Sequence, residues 1–174
     1  MKVVNSKDLP VPGGHYSHGM VSGNLLFVSG QLPFNPHTGT FPEGMEAQFS
    51  QAMANVEAVL QAGDATWASL INVQIFISDV AHWPLVNALY AQFLGTHKPA
   101  RAIIPCGQLH HGALVEITAV AERVAPAIDA AFRAGADPDE TWRRMVPDPG
   151  NATREEQVIW QEILRRSIHG IDAP

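Results

Sequence analysis

Cysteine is almost missing from this sequence: Cys106 is the single one in 174 residues. That excludes an internal disulfide and deprives a structural zinc site of its usual thiolates, so redox chemistry does not define the protein. Positive charge is scarce too. The 11 Lys and Arg face 17 Asp and Glu, a formal net charge of -6. Apart from the pairs Arg143-Arg144 and Arg165-Arg166 the cations are scattered, so no basic stripe can follow a phosphate backbone, and nucleic acid is a poor partner. Both pairs read as solvated helical faces. No apolar run reaches the ~18 residues of a membrane-spanning helix, and Met1-Lys2-Val3-Val4-Asn5 does not open a secretory signal. The expectation is a cytoplasmic protein with no membrane partner. What remains, 46% hydrophobic and 16% charged residues, is the composition of an ordinary globular domain with room for an appendage.

Gly23 to Gly30 encloses a short apolar run that suits a central strand. A loop follows, punctuated by Pro33, Asn35, Pro36, Thr38 and Gly39. Met45, Phe49, Ala52, Met53, Val56, Val59 and Leu60 then fall at helical spacing as one apolar stripe, which Gly63 closes. Ile71, Val73, Ile75 and Ile77 alternate with Asn72, Gln74, Phe76 and Ser78, the period of a strand. Asp79 is placed to cap a second helix that runs to about Leu94, with Leu85, Val86, Leu89, Tyr90 and Phe93 inward and Gly95 as its stop. Two strands complete the set, Ala102 to Cys106 and Ala113 to Ala121. The order argues for an α+β or α/β layer with helices on one side of a mixed sheet. Leu26, Val28, Val115, Ile117 and Ala119 are assigned to the sheet's other face, whose burial calls for a small symmetric oligomer.

After Arg123 the character changes. Ala-rich residues 125 to 136 lead into a Pro- and Asp-rich stretch, 137 to 150. A charged amphipathic helix ends the chain, with Thr153 and Glu156 at capping-box spacing and Ile159, Trp160, Ile163, Leu164 and Ile168 inward. Residues 124–174 are read as a helical C-terminal extension that either caps the cleft or decorates the outer helical layer.

Two residues stand out chemically. Glu116 sits in Ala-Leu-Val-Glu-Ile-Thr-Ala-Val, a strand otherwise too apolar for a solvated carboxylate, and a buried Glu needs a cation, a donor or water facing it. On its own that strand is also read as an edge strand with Glu116 on its wet face. Arg101, after Lys98-Pro99-Ala100, offers a planar fork that can hold a carboxylate in bidentate fashion, or is a surface Arg at a strand start.

Several blocks bear on the choice. Gly14-His15-Tyr16-Ser17-His18-Gly19 leads into Gly23-Asn24-Leu25-Leu26-Phe27-Val28-Ser29-Gly30-Gln31, with Pro33, Pro36, Thr38 and Gly39 behind it. Val86-Asn87-Ala88-Leu89-Tyr90 with Phe93 precedes Pro99-Ala100-Arg101, and Gly112-Ala113-Leu114-Val115-Glu116-Ile117 comes last. In that order and in uninterrupted register, over residues 1–123, the set resembles the reactive-intermediate deaminase family (RidA, also called YjgF). The resemblance implies a chorismate-mutase-like α+β fold, a mixed sheet with two helices on one face. It also implies a homotrimer with active sites between subunits and no metal or organic cofactor. The implied reaction is hydrolysis of 2-imino acids, or enamines such as 2-aminoacrylate, to 2-oxo acids and ammonia. Arg101 matches the arginine that clamps the substrate carboxylate, Glu116 the glutamate that orients water, and Tyr16, Ser29, Gly30 and Asn87 match cleft positions. Backbone amides around Ile103 are candidates to receive a substrate oxygen.

The departures concern the pocket. Ala102 and Ile103 stand where relatives often carry Ser and then Cys or Thr, and His110-His111 where a Pro is usual. Thr118 replaces a common acidic residue. A more apolar or larger pocket follows. A metal held by His15 with His18, or by His110 with His111, lacks a completing ligand set, and Cys106 has no base and reads as a small packed thiol. Two rival readings stand beside the imine deaminase: a hydrolase for a specialised catabolic substrate such as an aminomuconate, and a non-catalytic, trimeric small-molecule binding or chaperone-like protein. The acidic charge opposes the endoribonuclease role also attached to the family.

Overall fold

Alternating apolar and polar residues build the sheet of this protein. The computed structural model describes residues 1–124, 131, 134–145, 156, 157, 159–161, 163 and 164. The chain divides into two compact units, Met1–Glu122 and Arg123–Pro174.

In the first unit, strands β1 (Lys2–Val4), β2 (Gly19–Ser22), β3 (Leu25–Gln31), β4 (Leu70–Ile77), β5 (Ala100–Pro105) and β6 (Val115–Glu122) form one sheet in the order β1-β2-β3-β6-β4-β5. All neighbours are antiparallel except β4 and β5. Parallel strands need a long crossover, and helix α2 (Trp83–Leu94) supplies it. The sheet is mixed and the fold α+β. The short strands β1 and β2 go beyond the sequence reading. Gly23, at φ 59°, opens the tight turn from β2 to β3.

Helix α1 (Met45–Ala62) packs on β3 and β6. Its whole expected stripe, from Met45 to Leu60, is buried, each large side chain contributing about 1.5–3 kcal/mol. Beneath it lie Leu26, Val28, Val115, Ile117 and Ala119. These five therefore line the helix-facing core rather than the opposite face expected for them: the strand alternation hands α1 the more aliphatic set. The opposite face carries Phe27, Val120, Thr118, Glu116 and Phe76 instead. Ile71 is a second correction. A bulge between Leu70 and Asn72 gives Leu70 the core position and leaves Ile71 exposed, because one extra residue inverts the alternation.

Asp79 does cap, but a 3₁₀ turn, accepting from the Ala81 amide at 2.8 Å. The α-helix begins at Trp83, with Pro84 in its first turn and Gly95 at its end. Val86 and Tyr90 are buried and Leu89 packs on the core. Leu85 and Phe93 are exposed rather than inward, since α2 packs chiefly along α1 and buries a narrow stripe. Phe93 meets Trp67 edge to face, centroids 4.9 Å apart.

In the second unit, α3 (Pro138–Met145) lies inside the stretch read as Pro- and Asp-rich. The signal was Asp137-Pro138: Asp137 Oδ1 accepts from the Asp139 and Glu140 amides, with Pro in the first turn. Ile159 and Ile163 are buried, with Val124, Trp142 and Trp160 against them. Thr153 and Ile168 lie outside the described residues, as does most of 125–136. No helix among the described residues is long and apolar enough to cross a membrane.

Candidate active site

Glu116 occupies β6, between β3 and β4, so it stands mid-sheet rather than on an edge strand. It pairs with Phe76 on the face away from the core. Its neighbour on β3 is Gly30, within the irregularity between Val28 and Gln31. Glycine lets the Glu116 carboxylate lie against the backbone there, because a Cβ would fall on it and displace it. Burial pushes the Glu116 carboxyl above the ordinary carboxylate range, and His110 works against that shift. Desolvation disfavouring the ionised form is what a base kept from bulk water experiences.

Gly30 opens into a cleft of about 440 Å³ bordered by Tyr16, Phe34, Phe41, His110 and His111. Its rim is anchored by His18. The Ser6 amide donates to His18 Nδ1 at 3.2 Å, and Nε2 lies 2.9 Å from the Pro10 carbonyl. With Nδ1 accepting, Nε2 carries the proton and donates, so both ring nitrogens are occupied by backbone. Ser29 Oγ donates to the Ser17 carbonyl at 2.7 Å. That bond ties β3 to the segment that presents Tyr16. Ser29 therefore shapes the cleft through the backbone.

Arg101 lies elsewhere. On edge strand β5 it pairs with Val73, and Ile103 with Ile75, which puts both on the core side of the sheet. Arg101 Nη2 donates to Asn87 Oδ1 at 2.9 Å, and the guanidinium sits over the Tyr90 ring, 4.8 Å from its centroid. Asn87 and Tyr90 are neutral, and the stacking adds about 0.5–1 kcal/mol of attraction. The three residues line a second cleft of about 410 Å³ with His97 and Lys98. The Tyr90 hydroxyl is buried without a hydrogen-bond partner among the described residues. Burial pushes its phenol up to about 12, against the pull of Arg101. Sequence reasoning did not single out Tyr90, although its place one turn after Asn87 on α2 was a usable sign.

The expected site residues thus form two groups. Tyr16 and Gly30 line one cleft, with the Glu116 carboxylate against Gly30 and Ser29 next to it in the chain; Asn87 and Arg101 line the other, and Ile103 follows on β5 without lining it. Cross-strand register puts Glu116 and Arg101 on opposite faces of the sheet. One chain does not unite them. Cys106 is exposed rather than packed, just past the end of β5. Among the described residues, no three His, Cys, Asp or Glu side chains converge as a metal site would require.

Comparison with known proteins supplies the lineage. The family model described as endoribonuclease L-PSP matches residues 6–123. The chain is 32% identical to the 2-iminobutanoate/2-iminopropanoate deaminase of Escherichia coli K12 over 125 residues, covering 70% of this chain and 98% of that protein. The crystal structure of the Escherichia coli YjgF gene product superposes with a TM-score of 0.67 at 31% identity, covering 71% of this chain and 99% of that one. That of Escherichia coli TdcF with bound serine gives 0.67 at 29% identity, covering 71% and 99%. The match runs through every strand from β2 to β6 and both helices between them, and on it the chain belongs to the endoribonuclease L-PSP family, the RidA/YjgF family that its motifs resemble.

Proposed function

We propose that this protein hydrolyses 2-imino acids and their enamine tautomers to 2-oxo acids and ammonia, at sites completed between copies of the chain. One observation carries the reading: a cation with neutral partners lines one cleft and a half-buried carboxylate packs on Gly30 at the border of another, on opposite faces of one sheet. Association of copies, Arg101 cleft against Glu116 cleft, is the arrangement that lets both groups act on one molecule. The homotrimer implied by the resemblance provides it.

The division of labour follows from the groups. Arg101, positioned by Asn87 and the Tyr90 ring, binds the substrate carboxylate. That fixes the imine carbon. Glu116 accepts a proton from a water as the water oxygen bonds to that carbon and the C=N electron pair moves to nitrogen. The proton passes from Glu116 to the nitrogen, giving a carbinolamine; as the C–N bond breaks, the hydroxyl proton is carried by the same carboxylate to the departing nitrogen, so that ammonia leaves and the new C=O forms. An imino acid and water have become a 2-oxo acid and ammonia, with no redox change. The deaminase name of the Escherichia coli relative supports the assignment.

The test is ammonia release from 2-aminoacrylate and 2-iminobutyrate generated in situ. Wild type should accelerate it, and Arg101→Ala and Glu116→Gln should each lose about 100-fold or more while remaining folded. No acceleration by wild type would leave a small-molecule binder.

A further inference from the structure

The Gly30 cleft is built for more than a methyl group. We propose that this protein is specific for 2-imino acids with an aromatic or comparably bulky apolar side chain, seated against a wall of Phe34, Phe41 and His111. The proposal rests on the hydrolase reading above and names the substrate class of that site.

The wall is interlocked. Phe34 and Phe41 meet edge to face with centroids 6.3 Å apart at 83°, and Phe41 meets His111 at 6.3 Å and 80°. His111 in turn lies against His110, the rings tilted at 48° with centroids 3.8 Å apart. Edge-to-face contacts of this kind favour a further ring entering the same set.

Each ring is held from behind. Asn55 Nδ2 donates to the carbonyls of Leu32 and Phe34 at 2.8 and 2.9 Å, fixing the backbone under Phe34. Asn35 Oδ1 accepts from the His37 and Thr38 amides, and the bridge from Asn35 to Thr40 closes the turn that delivers Phe41. His111 is aimed by a left-handed backbone, φ 55° and ψ 20°, followed by Gly112 at φ 73°. A non-glycine residue adopts that conformation uncommonly. A wall fixed in advance loses little entropy when a ligand arrives.

The wall also begins where the chemistry does. His110 lines the cleft with Gly30, on which the Glu116 carboxylate packs, and lies tilted against His111. A substrate whose imine carbon faces Glu116, the carboxylate that packs on Gly30, has this wall in the adjoining cleft to receive the side chain on that carbon. The volume, about 440 Å³, belongs to the class of pockets that take drug-sized ligands. The imine of alanine would leave the rings wet.

The experiment compares imines released by a D-amino-acid oxidase from D-phenylalanine and D-alanine, with calorimetric binding of the stable products phenylpyruvate and pyruvate. Wild type should show kcat/KM about tenfold or more in favour of the phenylalanine imine, and phenylpyruvate should bind more tightly than pyruvate. Phe41→Ala should lower both ratios by about tenfold. His111→Gly, which keeps the left-handed backbone and removes the ring, is the second variant should Phe41→Ala not fold. Hydrolysis of both imines with an equal, reversed or variant-insensitive ratio overturns the specificity and leaves the hydrolase reading standing. Hydrolysis of neither imine overturns the hydrolase reading, and calorimetry then decides the wall: a phenylpyruvate preference lost in the variants sustains it as a binding site, and equal binding of the two acids overturns it.

Discussion

Glu116 shows how much one side chain's surroundings decide. Its carboxyl is raised by burial, so the folded protein holds that proton more tightly than the unfolded chain does. The stabilisation is fully present below the unfolded value, about 4.3 for Glu, and is lost as pH rises through the higher folded value. Glu116→Gln removes the ionisation. The variant should match wild type in thermal stability at acid pH and exceed it at neutral pH, as melts at the two pH values would show; a variant less stable at neutral pH would mean that the carboxylate has a cationic partner in the assembly. Gly30 is the complementary case. Gly30→Ala places a methyl on the carboxylate, and overpacking of that kind costs about 1–3 kcal/mol. Turnover should collapse with a far smaller loss of melting temperature than a core truncation causes; unchanged turnover would remove Glu116 from the chemistry. Residue types at these positions were legible because a carboxylate in an apolar strand and an arginine at a strand mouth are conspicuous. The role of Tyr90 was not, because an aromatic at helical spacing reads equally well as core.

At the scale of elements, long periodic segments were readable and faces were not. The α1 stripe is buried in full, and β4, β5 and β6 fall within a few residues of where alternation and glycine placed them. Which face of β3 and β6 turns inward is another matter. Period-two patterns are symmetric until the partner layer is known, and the bulges near Leu70 and between Val28 and Gln31 shift parity by one. Those bulges moved Ile71 to solvent and brought Gly30 against Glu116. The same limit hid the separation of Arg101 from Glu116, since it depends on the register of β4 with both its neighbours. Helix α3 was read only in part: Arg143-Arg144 were placed on a helical face, but its start was hidden because Asp137 and Pro138, which stand at its cap, read as a Pro- and Asp-rich stretch.

For the whole molecule, the proposed assembly makes a countable prediction. Arg101→Ala and Glu116→Gln chains are each inactive alone, but a site built from the arginine of one copy and the glutamate of another is intact when the right pair meet. Co-refolding equal amounts should restore about one quarter of wild-type activity, the statistical share in a closed symmetric ring. Sites formed within single chains would restore none. The placement of the two groups on opposite faces has a further consequence. If each site belongs to a contact between copies, catalysis and assembly share one dissociation constant, and activity per chain falls on dilution as the contact is lost. A surface substitution that weakens the contact would then behave in a cell as a shortage of protein, reversed by raising expression and not by raising substrate.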